Sequence, residues 1–145
     1  PLWISTQFNH PEEITEESKA AAECFINAGI PVMNQAVLLQ GVNDDVHILS
    51  RLFSRLTALR IKPYYLFQLD LAPGISHFRV PIEKGMHLYE ALCGMLGGLE
   101  LPVYALDLTG GGDKIRLDPS RIVSMDNENV YLRAYSGEVY SYPRY

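Results

Sequence analysis

The sequence predicts an α/β fold with a parallel sheet, followed by a small antiparallel tail. Three observations carry this. Apolar runs of strand length recur at about thirty-residue spacing, each followed by a stretch with helical periodicity. The runs are apolar on both faces, as strands covered on both sides of a parallel sheet are. Beyond residue 117 the helical spacing stops, and short alternating segments separated by turn residues take over. The division is therefore 1–117 for the βα part and 118–145 for a β-meander. Right-handed crossovers leave either a doubly wound sheet or a segment of a βα barrel, and pattern alone does not separate them.

Leu2 to Thr6 forms the first strand and stops at Gln7, Asn9 and His10. Thr15 caps the first helix, with Glu16 and Glu17 in its first turn where the helix dipole favours acids. Ala20, Ala21, Cys24, Phe25 and Ala28 make its predicted buried face, and Gly29 ends it. Ile30 to Met33 leads into the second strand, which Asn34 and Gln35 open and Leu39 closes. Asp44 and Asp45 read as helix-start residues. Val46, Leu49, Leu52, Phe53, Leu56 and Leu59 repeat every three or four residues, the clearest amphipathic helix in the chain. Ile61 to Leu69 is the third strand, ending on Asp70. Ile82, Met86, Tyr89, Cys93 and Leu96 trace the third helix, and Leu101 to Leu106 the fourth strand, which ends on Asp107. In the tail, Arg121 to Met125, Val130 to Tyr135 and Glu138 to Tyr142 are the expected strands.

Composition narrows the function. With 145 residues, nearly half of them apolar, the chain holds enough material for one core. A net charge of −5 argues against a general nucleic-acid surface. No apolar run has the length to span a bilayer and no signal-peptide pattern opens the chain, so a cytoplasmic protein with no membrane partner is expected. Cys24 and Cys93 lie far apart among apolar neighbours and are expected as small buried thiols. The histidines show no ligand spacing, and no metal site is expected. Pro1 to Thr6 reads as a strand already in progress, which suggests a piece of a longer protein and an edge at Leu2–Thr6 through which copies could associate.

In either parallel architecture, ligands gather at the carboxyl ends of strands. Asp70 and Asp107 occupy equivalent positions on consecutive strands, so their carboxylates can converge. Such a pair serves acid–base work, a hard divalent cation, or the clamping of a cationic ligand. After Asp107 come Gly110, Gly111 and Gly112, then Lys114. A glycine triplet alone is an ordinary surface turn. Beside a paired carboxylate, though, it is a loop that can wrap an anion and deliver an amine to a phosphate or carbonyl.

With these residues assembled, the chain resembles the later part of the lysine 2,3-aminomutase family, within the radical-SAM superfamily. The resemblance rests on Ser5 to Thr15, Ala28-Gly-Ile-Pro31, Asn34 to Leu39, Gly41 to Asp44, Pro63-Tyr-Tyr65, Asp70-Leu71, His77-Phe-Arg79, and Asp107 through Lys114, in this order and spacing. It implies a fold of βα units curled into an incomplete barrel. It implies that Lys114 carries pyridoxal 5'-phosphate, that Gly110, Gly111, Gly112, Asn34 and Gln35 contribute to holding it, and that Asp70 and Asp107 hold the side-chain ammonium of substrate lysine. The reaction implied moves the amino group from C2 to C3, giving β-lysine. It depends on S-adenosylmethionine cleaved at a [4Fe-4S] cluster, whose CxxxCxxC ligands this sequence does not contain. A homo-oligomer is expected of the full-length protein, and the fragment alone is expected to be inactive. Two other readings stand beside this one: a non-catalytic paralogue that binds a basic amino acid, and a relative that β-lysylates a translation elongation factor. The sequence departs from the family pattern at Gln7, where histidine is common, and at Asp45, where the type enzyme has a zinc-binding cysteine. It departs again at Leu108-Thr109 and at Asp113, which replaces a glycine next to Lys114.

Overall fold

The computed structural model describes residues 1–110 and 112–145. Two sheets organise the chain. The first has five strands in the order β1 (Ile4–Thr6), β2 (Val32–Val37), β3 (Ile61–Phe67), β4 (Val103–Asp107) and β5 (Lys114–Arg116). β1 to β4 pair in parallel and β5 runs antiparallel to β4. The parallel strands lie side by side in chain order with no reversal, whereas a doubly wound sheet has a switch point at which the order turns back. The helices α1 (Glu16–Asn27), α2 (Val46–Ala58) and α3 (Ile82–Met95) connect the parallel strands. The second sheet is an antiparallel meander of β6 (Ile122–Met125), β7 (Asn129–Arg133) and β8 (Val139–Pro143).

The faces of the first sheet differ. On one, Val32, Ala36, Ile61, Leu66, Tyr104, Leu106 and Ile115 are buried in the core together with Leu49, Leu52, Phe53 and Leu56 of α2. α2 packs against β3 and α3, and its periodic stripe is the one the sequence shows. On the other face, strand partners in register place Gln35 beside Tyr65, Tyr65 beside Val103, and Asp107 beside Lys114. Most of these side chains are half-exposed or exposed. The β2–β3 register slips between Asn34 and Gln35, where Pro63 has no N–H to give the ladder and Tyr64 is left without a partner.

The meander shares this core. Val130, Leu132, Ala134 and Tyr142 are buried in the same apolar cluster as the βα part.

Several expectations need correction. Helix α1 is rotated from its predicted face: Ala22 is buried and Ile26 packs on the core, while Phe25 is 39% exposed. An alanine-rich helix has little apolar contrast around its circumference, so the isoleucine decides which side turns in. Cys24 and Cys93 are both exposed rather than buried. Cys93 lies one helical step of about 100° from buried Leu92, which takes it off the core face. The second strand begins at Val32, so Asn34 and Gln35 lie in its interior and do not open it. The third ends at Phe67, before Gln68 and Leu69. Lys114 lies on a strand, not on a loop. None of the helices among the described residues is long and apolar enough to cross a membrane.

Candidate functional site

The site forms where β4 turns back into β5. A hairpin joins them, and its register pairs Asp107 with Lys114. Two side chains paired across a sheet point to the same side, so carboxylate and amine meet: Lys114 Nζ lies 3.6 Å from Asp107 Oδ1. Both side chains are substantially solvent-exposed, 40% and 48%, so the pair adds little stability and the amine stays accessible. Beneath it lies an aromatic floor from β3. Lys114 Nζ stands 4.7 Å from the Tyr65 ring centre and 4.4 Å from that of Phe67.

Asp70 follows β3 by three residues and reaches the same electrostatic neighbourhood. Partial burial raises its carboxyl above the usual aspartate range, the negative charge of Asp107 raises it further, and Lys114 pulls it back. The two carboxylates therefore feel each other, and both feel Lys114. Lys114 and Asp107 are brought into contact, and Asp70 lies within electrostatic range of both.

The glycines divide their labour. Gly110 has φ +75°, the left-handed region that glycine reaches without strain. Gly112 is needed for space: a Cβ there would lie 2.4 Å from Leu108 Cβ and 3.2 Å from the Tyr140 ring. The loop thus sits directly on β8. Gly111, expected among the cofactor contacts, lies outside the described residues. Asp113 has a partner of its own, since its carboxylate accepts a hydrogen bond from the backbone N–H of Ser136 at 3.1 Å. Asp113 thereby ties the loop to the β7–β8 turn.

Asn34 has an internal use. It is fully buried; its Oδ1 accepts from Thr6 Oγ1 (2.9 Å) and Phe8 N–H (2.7 Å), and its Nδ2 donates to Phe8 O (3.0 Å). That amide, expected from the resemblance among the cofactor contacts, latches the end of β1 to β2. Gln35 is half-exposed and shares the open face with Tyr65. Asp45 caps α2 through the N–H groups of His47 and Ile48. Asp44 does more than start the helix: it accepts from Gly41 N–H and pairs with Lys84 of α3.

Sequence reasoning missed a cationic wall. A pocket of about 530 Å³ on the open face is lined by Tyr65, Val103, Lys114, Arg116, Arg121 and Tyr135, among others. The Arg121 guanidinium lies 4.1 Å from the Tyr135 ring centre. Asp118, the acid in the lining, is engaged by its hydrogen bonds from Ser120. Alternation in Lys114-Ile115-Arg116 was the available signal, because it puts both cations on one face of a strand.

Comparison with known proteins gives one family-model match, to Lysine-2,3-aminomutase, over residues 89–145. The chain is 45% identical over 142 residues to L-lysine 2,3-aminomutase of Acetoanaerobium sticklandii, covering 98% of this chain and 34% of that protein. It is 46% identical over 143 residues to L-lysine 2,3-aminomutase of Bacillus subtilis, covering 99% of this chain and 30% of that protein. It is also 42% identical over 139 residues to glutamate 2,3-aminomutase of Clostridioides difficile, covering 96% of this chain and 33% of that protein. The chain thus spans about a third of the length of these relatives.

Proposed function

We propose that this chain, which belongs to the lysine 2,3-aminomutase family, carries the amine anchor and the ammonium clamp of an enzyme that moves the α-amino group of lysine to C3. One observation carries the reading: Lys114 and Asp107 are cross-strand partners 3.6 Å apart, with Asp70 coupled to both. The resting protein seats the ammonium of its own lysine side chain beside Asp107, where the ammonium of a substrate lysine would sit once Lys114 is otherwise engaged.

The sheet is read as a segment of an incomplete βα barrel of the radical-SAM kind. Sequential parallel strands and an open face support that reading.

The residues suit pyridoxal 5'-phosphate. Lys114 offers an accessible amine above the rings of Tyr65 and Phe67, and Arg116 and Arg121 offer charge for an anionic group in the adjoining pocket. When bound, that group supplies a carbonyl that condenses with an amine and a conjugated ring able to spread an unpaired electron. The protein's own part is to bind and orient. Lys114 holds the cofactor end, and Asp70 and Asp107 neutralise the far ammonium. S-adenosylmethionine and a [4Fe-4S] cluster complete the reading as cofactors of the whole protein, with no residue of this chain assigned to them.

The relatives' names alone do not choose between lysine and glutamate. The carboxylates favour lysine. A desolvated ammonium needs anionic partners, whereas a glutamate side chain would place a third carboxylate beside two. A site built this way rejects the wrong side chain by leaving its own charges unpaired. The full-length protein, supplied with all three cofactors and a reductant, is expected to convert carbon-13-labelled lysine to β-lysine, seen by NMR, and to leave labelled glutamate unchanged. Turnover of glutamate, or lysine binding without conversion, overturns the proposal.

A further inference from the structure

A buried polar chain links the terminal meander to the strand end that carries Asp70. Tyr142 of β8 donates its hydroxyl proton to Leu69 O at 2.6 Å. The Tyr142 hydroxyl oxygen in turn accepts from Gln68 Nε2 at 3.2 Å, and Gln68 Nε2 also donates to Val80 O at 2.6 Å. Tyr104 of β4 donates to Gln68 Oε1 at 2.6 Å. Gln68 and Tyr104 are fully buried, Tyr142 is 2% exposed, and every side-chain polar atom of these three residues has a partner. Buried networks satisfied in this way fix a single geometry, because any slippage strands a donor or acceptor away from water.

Where the network ends matters. β3 stops at Phe67, so Gln68, Leu69 and Asp70 have left the strand. Gln68 still donates its backbone N–H to Ala105 O, but Leu69 O is held from outside the sheet, by Tyr142. A rotation of the Leu69–Asp70 peptide would swing the Asp70 carboxylate, and the bond to Tyr142 restrains that rotation. Tyr104 lies on the strand that ends in Asp107, so the network also spans the two strands whose ends bear the carboxylates. The fold makes room for it: Gly85 of α3 has no Cβ, and one there would lie 2.0 Å from the Tyr104 hydroxyl.

We propose that Tyr142 is a positioning residue for the Asp70 carboxylate, and that the terminal meander acts through it on selection of a substrate carrying a terminal ammonium. The inference rests on the clamp described under Proposed function. It adds a different element of the chain, one that touches no substrate.

The test compares lysine with norleucine, which has the same backbone and no terminal ammonium. Calorimetry on the full-length protein loaded with pyridoxal phosphate gives the ratio of their Kd values, for the wild type and for Tyr142→Phe and Tyr104→Phe. In Tyr142→Phe the lysine preference is expected to fall about tenfold, with norleucine affinity and cofactor absorbance unchanged. Tyr104→Phe, which loosens Gln68 but spares the bond to Leu69, is expected to fall less. A merely structural role would weaken both ligands together or lower only the melting temperature, and either result overturns the inference. If Tyr142→Phe does not fold, Tyr104→Phe decides by the same ratio. A wild type with no preference for lysine refutes the clamp itself, and the inference with it. A wild-type preference that survives both substitutions refutes only the role of Tyr142.

Discussion

Gly85→Ala is the sharpest structural perturbation that the network permits. The added methyl would lie 2.0 Å from Tyr104 Oη, 2.9 Å from its Cζ and 3.2 Å from Leu38 Cδ2. Tyr104 is fully buried and cannot swing into solvent. Relief takes both an outward shift of α3 and the loss of the tyrosine's 2.6 Å bond to Gln68. Overpacking of this kind costs about 1–3 kcal/mol. Leaving the Gln68 oxygen unpaired costs about 1–3 kcal/mol more. Alanine returns about 1 kcal/mol over glycine in a helix interior. The expected net loss is about 1–5 kcal/mol, measured by urea unfolding with the slope unchanged. The double variant Gly85→Ala with Tyr104→Phe removes the atom that clashes most, so the two substitutions should be non-additive by at least about 1 kcal/mol. Wild-type stability for Gly85→Ala, or simple additivity in the pair, would refute the packing argument.

Two further outcomes follow from the site. The raised carboxyl of Asp70 comes first from partial burial and then from Asp107, so ionised Asp70 is a load on the folded state. The folded protein holds that proton more tightly than the unfolded chain, so Asp70 favours folding below the ordinary aspartate value of about 3.9 and loses that contribution as pH rises through its raised value. Asp70→Asn is therefore expected to unfold at a higher temperature than wild type at neutral pH, with the difference closing in acid; a variant less stable at pH 7 would contradict the electrostatic account. Lysine affinity should move the other way, falling in wild type as acid protonates Asp70 and staying weak and flatter with pH in Asp70→Asn, by calorimetry. Gly112→Ala should force the loop off Leu108 and Tyr140, costing about 1–3 kcal/mol in urea unfolding, whereas alanine at exposed Gly94 should cost nothing.

The parts of this fold that the sequence made legible are those where periodicity and chemistry agree. Leu49, Leu52, Phe53 and Leu56 give α2 a stripe of bulky apolar side chains, and that stripe is buried as expected. The closeness of Asp107 to Lys114 follows from the β4–β5 register, whereas the sequence offered only that Asp70 and Asp107 stand just beyond consecutive apolar runs, where a carboxylate can equally be a loop cap. Helix α1 was misread because alanines and a cysteine differ little in their drive for burial, so the side that turns inward is set by Ile26 and by the strand beneath. β5 was hidden because three residues after a glycine-rich loop have no pattern of their own; pairing with β4 makes them a strand. A lone amide in an apolar strand fits a ligand contact and an internal latch equally well, and the latch that Asn34 makes was not legible because it depends on Phe8, 26 positions away. The network through Gln68, Tyr104 and Tyr142 joins residues up to 74 positions apart, a separation that no local spacing displays.

The central claim is that Lys114 is the cofactor's anchor, and one measurement addresses it directly. The full-length protein is incubated with pyridoxal phosphate, reduced with borohydride and digested, and the labelled peptide is sequenced. The account predicts a single pyridoxyl label on Lys114, absent from Lys114→Ala. A label on another lysine, or none on a folded protein, would contradict it.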